Sequence, residues 1–337
     1  QKKMEKYGTT QSGLNIMFVN AVSSAVSAWL EKEYPGRVVS YRTLAYFEHT
    51  EAPVNYDRET DTFTPHHEMT IPNENVQIMI APIGMSDYSV PMTDEVNNHI
   101  YSTLRGWAAV SDNISFWNYG QNFRGYMINF NNFGSLKANL TTMLEYGTTG
   151  FYEQCALGSN TAGFQELRVW LTAQLAWNVD QDYETLVKEF IDTYYGPAAP
   201  QIFEYFRLTV ANNLNMRQYN KAPQTIYASA QLSRDNWPLE LVMRMDRLFT
   251  DALAAIDGSD LPELEKIQYT DRVNWQKMTV LTFKIELYYT LFTREAVDDM
   301  IDEIQMLAQK NGVTSFWESN YTMLTKLDEW RAANNNR

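Results

Sequence analysis

The sequence predicts an α/β region followed by an all-α region: the C-terminal half of a (β/α)8 TIM-type barrel over residues 1–160, then a helical bundle domain over 161–337 packed on the barrel. Three observations carry this. Up to residue 154, short apolar runs of strand length alternate with stretches of helical period, the pattern of βα units with right-handed crossovers and a parallel sheet. No Gly-rich nucleotide turn follows any of the strands, which disfavours a complete doubly wound domain. From Thr161 onward the apolar spacing is helical alone. Half a barrel cannot close its own sheet, so a missing N-terminal part of the same polypeptide is expected to complete it.

Leu14 to Lys32 carries apolar residues at Ile16, Val19, Val22, Val26, Trp29 and Leu30, close to helical spacing, and stops at Tyr34-Pro35-Gly36. Val38 to Tyr46 follows as a strand. Glu48 to Asn75, with Pro53, Pro65 and Pro72 and no periodicity, reads as a long loop, and loops of that length are functional or disordered. Val76 to Pro82 is the second strand, and Thr93 to Val110 a helix capped by Thr93 or Asp94. Ile114 to Tyr119 is the third strand, Ser135 to Tyr146 a helix closed by Gly147, and Thr149 to Gln154 the fourth strand. Beyond it, helices are marked by Phe164 to Leu175, Leu186 to Tyr194, Pro200 to Met216, Pro238 to Ile256, Leu261 to Phe292 and Arg294 to Lys310.

Composition narrows the partners. With 27 Lys plus Arg against 41 Asp plus Glu, the formal charge of −14 argues against nucleic acid. No uninterrupted apolar run approaches the roughly 18 residues of a membrane span, so none is expected. A single cysteine, Cys155, excludes an intrachain disulfide and a cysteine-based zinc site. Nine Trp and 21 Tyr raise the expectation of sugar handling.

The third strand ends in Trp117, Asn118 and Tyr119, at the carboxyl edge where barrels of this kind hold their ligands. Aromatic faces pack on the C–H faces of sugars while amides and phenols reach hydroxyls, so carbohydrate is the expected partner; the other reading is an aromatic strand end packed under a loop. Glu153, ending the fourth strand, either holds sugar hydroxyls or pairs with an arginine at the barrel mouth; Gln154 is expected to point the other way. Tyr46, with Glu48 and His49 after the first strand, supplies an aromatic plate and either an acid and a polarising group or a solvated loop. His66, His67 and Glu68 in a flexible loop, and the Asp57, Glu59, Asp61 series, lack the further ligands of a metal site, so no metal or other cofactor is expected. Asn113, Asn139 and Asn320 open matches to the glycosylation acceptor pattern. No close acid pair is present, so the principal catalytic acid of a glycosidase is expected upstream of Gln1.

Phe18-Val19-Asn20 opening a helix, Leu44-Ala45-Tyr46, Val76 to Pro82, Trp107 ahead of Ile114 to Tyr119, Gly150 to Gln154, Glu166-Leu167-Arg168, Leu175 to Asn178, and Phe190 to Gly196 together resemble glycoside hydrolase family 163, formerly catalogued as domain of unknown function 4838. The resemblance covers roughly residues 14 to 210. It implies a retaining endo-β-N-acetylglucosaminidase on a TIM barrel, acting on complex N-glycans and exported by bacteria to the periplasm, cell surface or medium. It also implies that the proton-donating Glu precedes the Phe18 helix, so this chain alone would be inactive, and that Asn118 stands where the family often has Asp. A non-catalytic glycan-binding module, or a glycosidase of different sugar specificity, is the alternative.

Overall fold

The computed structural model describes residue 4 and residues 8–84, 87–227, 231–319 and 321–337; the acceptor pattern at Asn320 begins outside them. The chain divides into two compact units, one of Gln1–Ser86, Pro91–Tyr119 and Ala138–Gln154, the other of Asp87–Val90, Gly120–Lys137 and Cys155–Arg337.

In the first unit, helix α1 (Gln11–Glu33) begins at Thr10, whose side chain accepts from the Gly13 amide. Strand β1 (Tyr41–Ala45) is shorter than the apolar run before it, because pairing starts only at Tyr41 opposite Val76, leaving Val38 exposed. The expected loop that follows contains a hairpin, β2 (Val54–Asp57) with β3 (Thr62–Pro65), held by a stacked cross-strand pair of Tyr56 and Phe63 at 4.8 Å. Then come β4 (Val76–Ile80), α2 (Asn98–Ala108), β5 (Ile114–Tyr119), α3 (Leu136–Glu145) and β6 (Thr148–Gln154). Asp94 caps not α2 itself but a short 3-10 turn ahead of it, accepting from the Val96 amide. Gly147 turns the chain from α3 into β6 at φ +77°, a conformation that favours glycine.

The four long strands form one parallel sheet in the order β1-β4-β5-β6. Because the order advances in one direction, right-handed crossovers place α2 and α3 on the same face. The parallel register puts Thr43, Ile78, Ile114 and Phe116 on one face, and α1 lies against it, with Asn15 donating to Thr43 Oγ1 at 2.8 Å. Ile78, Ile80, Ile114 and Phe116 there are fully buried. The opposite face carries Arg42, Leu44, Gln77, Met79, Ser115, Trp117 and Tyr152. Its centre is buried at Met79 and Ser115, but its edge strands are open, with Leu44 41% and Tyr152 48% exposed.

By length and composition α1 could cross a membrane, with a hydropathy of 1.3 in its most apolar window, a point that counting uninterrupted apolar residues misses. Here polar bonds tie it to the unit: Asn20 donates to the Ile71 carbonyl at 2.8 Å and Ser23 accepts from Asn73 at 2.8 Å. Away from the sheet, Phe18, Val22, Ala25 and Trp29 follow helical spacing as an exposed apolar stripe.

The second unit is built from α4 (Gln165–Trp177), α5 (Tyr183–Tyr195), α6 (Ala199–Gln218), α7 (Leu239–Asp257), α8 (Glu263–Tyr288), α9 (Arg294–Lys310) and α10 (Met323–Asn335). The expectation of helices alone is corrected by a small antiparallel hairpin, β7 (Ser315–Trp317) and β8 (Tyr321–Thr322), and α10 after it was not foreseen. The core is aromatic, with Trp237 stacked on Phe283 at 4.2 Å and Tyr205 edge-on to Phe249 at 4.7 Å. Arg168, almost fully buried, donates to Asn132 Oδ1 at 3.0 Å, to the Phe130 carbonyl at 2.7 Å and to the Gly163 carbonyl at 3.1 Å, fixing the segment that follows β5. Gly163 sits at φ +75°, where an added Cβ would lie 2.6 Å from Asn129 Oδ1 and 2.9 Å from its Cα.

Candidate functional site

The carboxyl edge of the parallel sheet assembles side chains that the sequence places on separate strands. Trp117 and Tyr152 are register partners across β5 and β6, and their rings meet edge-to-face at 4.5 Å. Trp117 Nε1 donates to Gln154 Oε1 at 2.8 Å, which fixes the indole. Asn118 pairs with Glu153 in the same register, and its Nδ2 donates to Glu153 Oε2 at 2.9 Å. Alternation along each strand therefore divides the edge into two sets: Trp117, Tyr152 and Gln154 on the partly open face, Asn118 and Glu153 on the helix-bearing face. Asn118 and Tyr119 are buried, whereas Tyr152 is half exposed.

The β1 end is separated from β5 by β4, about 10 Å at ordinary strand spacing. There Phe47 takes a left-handed conformation at φ +48°, 63% exposed as a residue, with its ring 4.1 Å from that of Tyr46. A bulky residue held at positive φ is strained, and such strain concentrates at functional sites. The turn that follows, Phe47–His49, leaves Glu48 exposed and buries His49 Nδ1 without a hydrogen-bond partner among the described residues. Tyr46, Glu48 and His49 thus form one end of the strand edge, and Trp117, Asn118, Tyr119 and Glu153 the other.

Sequence reasoning assigned no role to Tyr152 and placed Gln154 away from Glu153. The structure makes these two the direct companions of Trp117. The signal was available in the period of two along β6, since residues 152 and 154 share a face.

The histidines of the insertion have local work. His66 Nδ1 lies 3.1 Å from Thr9 Oγ1, and His67 Nδ1 accepts from the Met69 amide at 3.1 Å, capping a 3-10 turn. In the hairpin turn, Asp61 receives a hydrogen bond from Tyr56 and the guanidinium of Arg105, which together hold its carboxyl below the usual range. Among the described residues, no group of three or more His, Cys, Asp or Glu is placed to hold a metal ion.

A second ionisable site lies in the helical unit. Glu166 Oε1 is shielded from solvent without a hydrogen-bond partner among the described residues; Oε2 accepts from Gln276 at 3.1 Å. Burial pushes its carboxyl up from the ordinary 4.5 to about 7. Its charge in turn adds to the burial that raises the fully enclosed Tyr195 phenol well above its usual range.

Residues 1–207 match the family model described as "Domain of unknown function (DUF4838)", more than half of the chain. No curated protein and no solved structure matches the chain. The chain belongs to the DUF4838 family.

Proposed function

We propose that this member of the DUF4838 family is part of a glycoside hydrolase that binds its sugar along the carboxyl edge of the parallel sheet. The observation that carries the reading is the Trp117–Tyr152 pair, an aromatic corner at 4.5 Å whose indole N–H is already satisfied by Gln154. With its polar edge occupied, the indole offers an apolar face to the C–H face of a pyranose. Asn118 and Glu153, and Glu48 with His49 at the β1 end, add the amide, carboxylate and imidazole groups that sugar hydroxyls need.

The resemblance to glycoside hydrolase family 163 sharpens the reading to a retaining endo-β-N-acetylglucosaminidase acting on complex N-glycans outside the bacterial cytoplasm. A one-directional parallel sheet with helices on one face and open edges on the other is what half of a (β/α)8 barrel looks like. The exposed stripe of α1 at Phe18, Val22 and Trp29 fits the position of a neighbouring helix from the completing half. That half would supply the proton-donating acid; the residues here bind and orient the sugar.

A glycan titration by Trp fluorescence, run beside hydrolysis of an N-glycoprotein, tests the proposal. Saturable binding with turnover in the polypeptide that includes the upstream half supports it. Binding without turnover in that polypeptide makes the protein a glycan-binding module.

A further inference from the structure

The second unit holds a cavity of about 370 Å³ lined by Phe123, Arg124, Tyr227, Trp317, Glu318 and Ser319, within the size range of small-ligand clefts. Its walls come from three stretches of chain joined by main-chain hydrogen bonds. Phe123 donates its amide to the Ile226 carbonyl at 2.7 Å, the Glu318 amide donates to the Phe123 carbonyl at 2.8 Å, and the Tyr126 amide to the Phe316 carbonyl at 3.2 Å. The cavity is thus built before any ligand arrives.

Its chemistry is mixed in a particular way. Trp317 is backed by Tyr321, stacked at 3.9 Å and 15°, so one indole face is taken and the ring is held as a plate. Phe123 and Tyr227 lie 5.7 Å apart on the neighbouring wall. The Tyr227 hydroxyl donates to Glu318 Oε2 at 3.3 Å, a long bond that a better donor can replace. Arg124 is exposed at the rim, and Ser319, at φ +74°, makes the tight turn that brings Glu318 to the mouth. Burial and then the nearby Glu318 charge push the phenol of the buried Tyr126 up to about 12.

We propose that this cavity is a saccharide-binding subsite, with Trp317 as the platform for a pyranose ring and Glu318, Arg124 and the Tyr227 hydroxyl as partners for its hydroxyls. A neutral polyol uses acceptor, donor and apolar plate together. A quaternary ammonium would use the aromatic rings and Glu318 but would be repelled by Arg124. A simple anion would use Arg124 but face the Glu318 carboxylate. All the residues belong to the helical unit, so the inference goes beyond the hydrolase reading and holds for a chain that cleaves nothing.

The experiment is calorimetric titration of the full chain with the methyl glycosides of N-acetylglucosamine, galactose and mannose, and with choline. The result expected is saturable binding of at least one glycoside that persists in Trp117→Ala, weakens about tenfold or more in Trp317→Ala and severalfold in Glu318→Gln. Should Trp317→Ala lose the fold by circular dichroism, Glu318→Gln and Arg124→Ala decide. Absence of saturable binding by any glycoside overturns the proposal. So does binding of choline alone, or glycoside binding that Trp117→Ala abolishes and the cavity variants leave unchanged. Hydrolysis by the longer polypeptide is scored separately, so failure of one reading is visible without failure of the other.

Discussion

The two units solve the problem of covering apolar surface differently. In the helical unit the long helix α8 buries both its flanks, with Val280 and Phe283 fully enclosed and Phe283 stacked on Trp237. In the sheet unit one face is closed over Ile78, Ile114 and Phe116, while the other leaves Leu44 and Tyr152 open at its edges and α1 leaves Phe18 and Trp29 open. Parallel sheets are ordinarily covered on both faces, so the open face is where the proposed ligand and barrel half are to be tested. The helical unit keeps Val280 and Phe283 enclosed, whereas the sheet unit leaves Leu44 and Tyr152 open, and it is on that open face that we propose a sugar binds.

Substitutions at matched aromatic positions break or sharpen this contrast. Phe283→Ala removes a fully buried ring from the helical core and is expected to cost about 3–5 kcal/mol, read as a fall in denaturant midpoint at unchanged slope. A loss below about 1 kcal/mol would mean that this core is not closed.

The next effect depends on pH. Glu166 binds its proton more tightly when folded, so between pH 4.5 and about 7 the folded state holds more protons and stability falls as pH rises. The full loss of stability corresponds to about 3 kcal/mol, complete above pH 7 and absent below 4.5. Glu166→Gln, which keeps the shape without the charge, should remove that slope and be the more stable form at pH 8. Equal pH profiles for the two proteins would show that the Glu166 carboxyl is solvated.

Trp117→Ala is expected to weaken sugar engagement at the strand edge by about 1–3 kcal/mol while stability changes less than in Phe283→Ala, because Trp117 is only half buried. Unchanged sugar binding with a large fall in stability would assign Trp117 to the core. The smallest effect belongs to Leu44→Ser on the open face, expected to stay within about 0.5 kcal/mol in this chain. In the completed polypeptide the same change should be clearly destabilising, and an equal effect in both would argue against a barrel half covering that face.

The strands of the sheet and most helices were legible because their apolar runs are long and their breaks are marked, as at Gly147 and Gly196. The β2–β3 hairpin was not, since Tyr56 and Phe63 become partners only once a register is set. The β7–β8 hairpin escaped for a similar reason: Ser315–Trp317 is too short to show a period. At the strand edge, Trp117, Asn118 and Glu153 could be read from position, but the division of the edge into two faces required the pairing of β5 with β6. Glu166 entered the sequence reading only within the family resemblance; its enclosure gave no signal, because the partner that holds its carboxyl is Gln276, on another helix.

The most direct measurement is glycan release from an N-glycoprotein by the polypeptide carrying the upstream half, comparing wild type with Glu153→Gln. Glu153 accepts a hydrogen bond from Asn118 at the strand edge, and charge-assisted bonds that sugar hydroxyls donate to such a carboxylate are worth roughly 1.5–3 kcal/mol each. Release by the wild type is expected, with a loss of kcat/KM of about tenfold or more in a variant that folds normally. Release that is undetectable in the wild type, or undiminished by Glu153→Gln across pH, would contradict it.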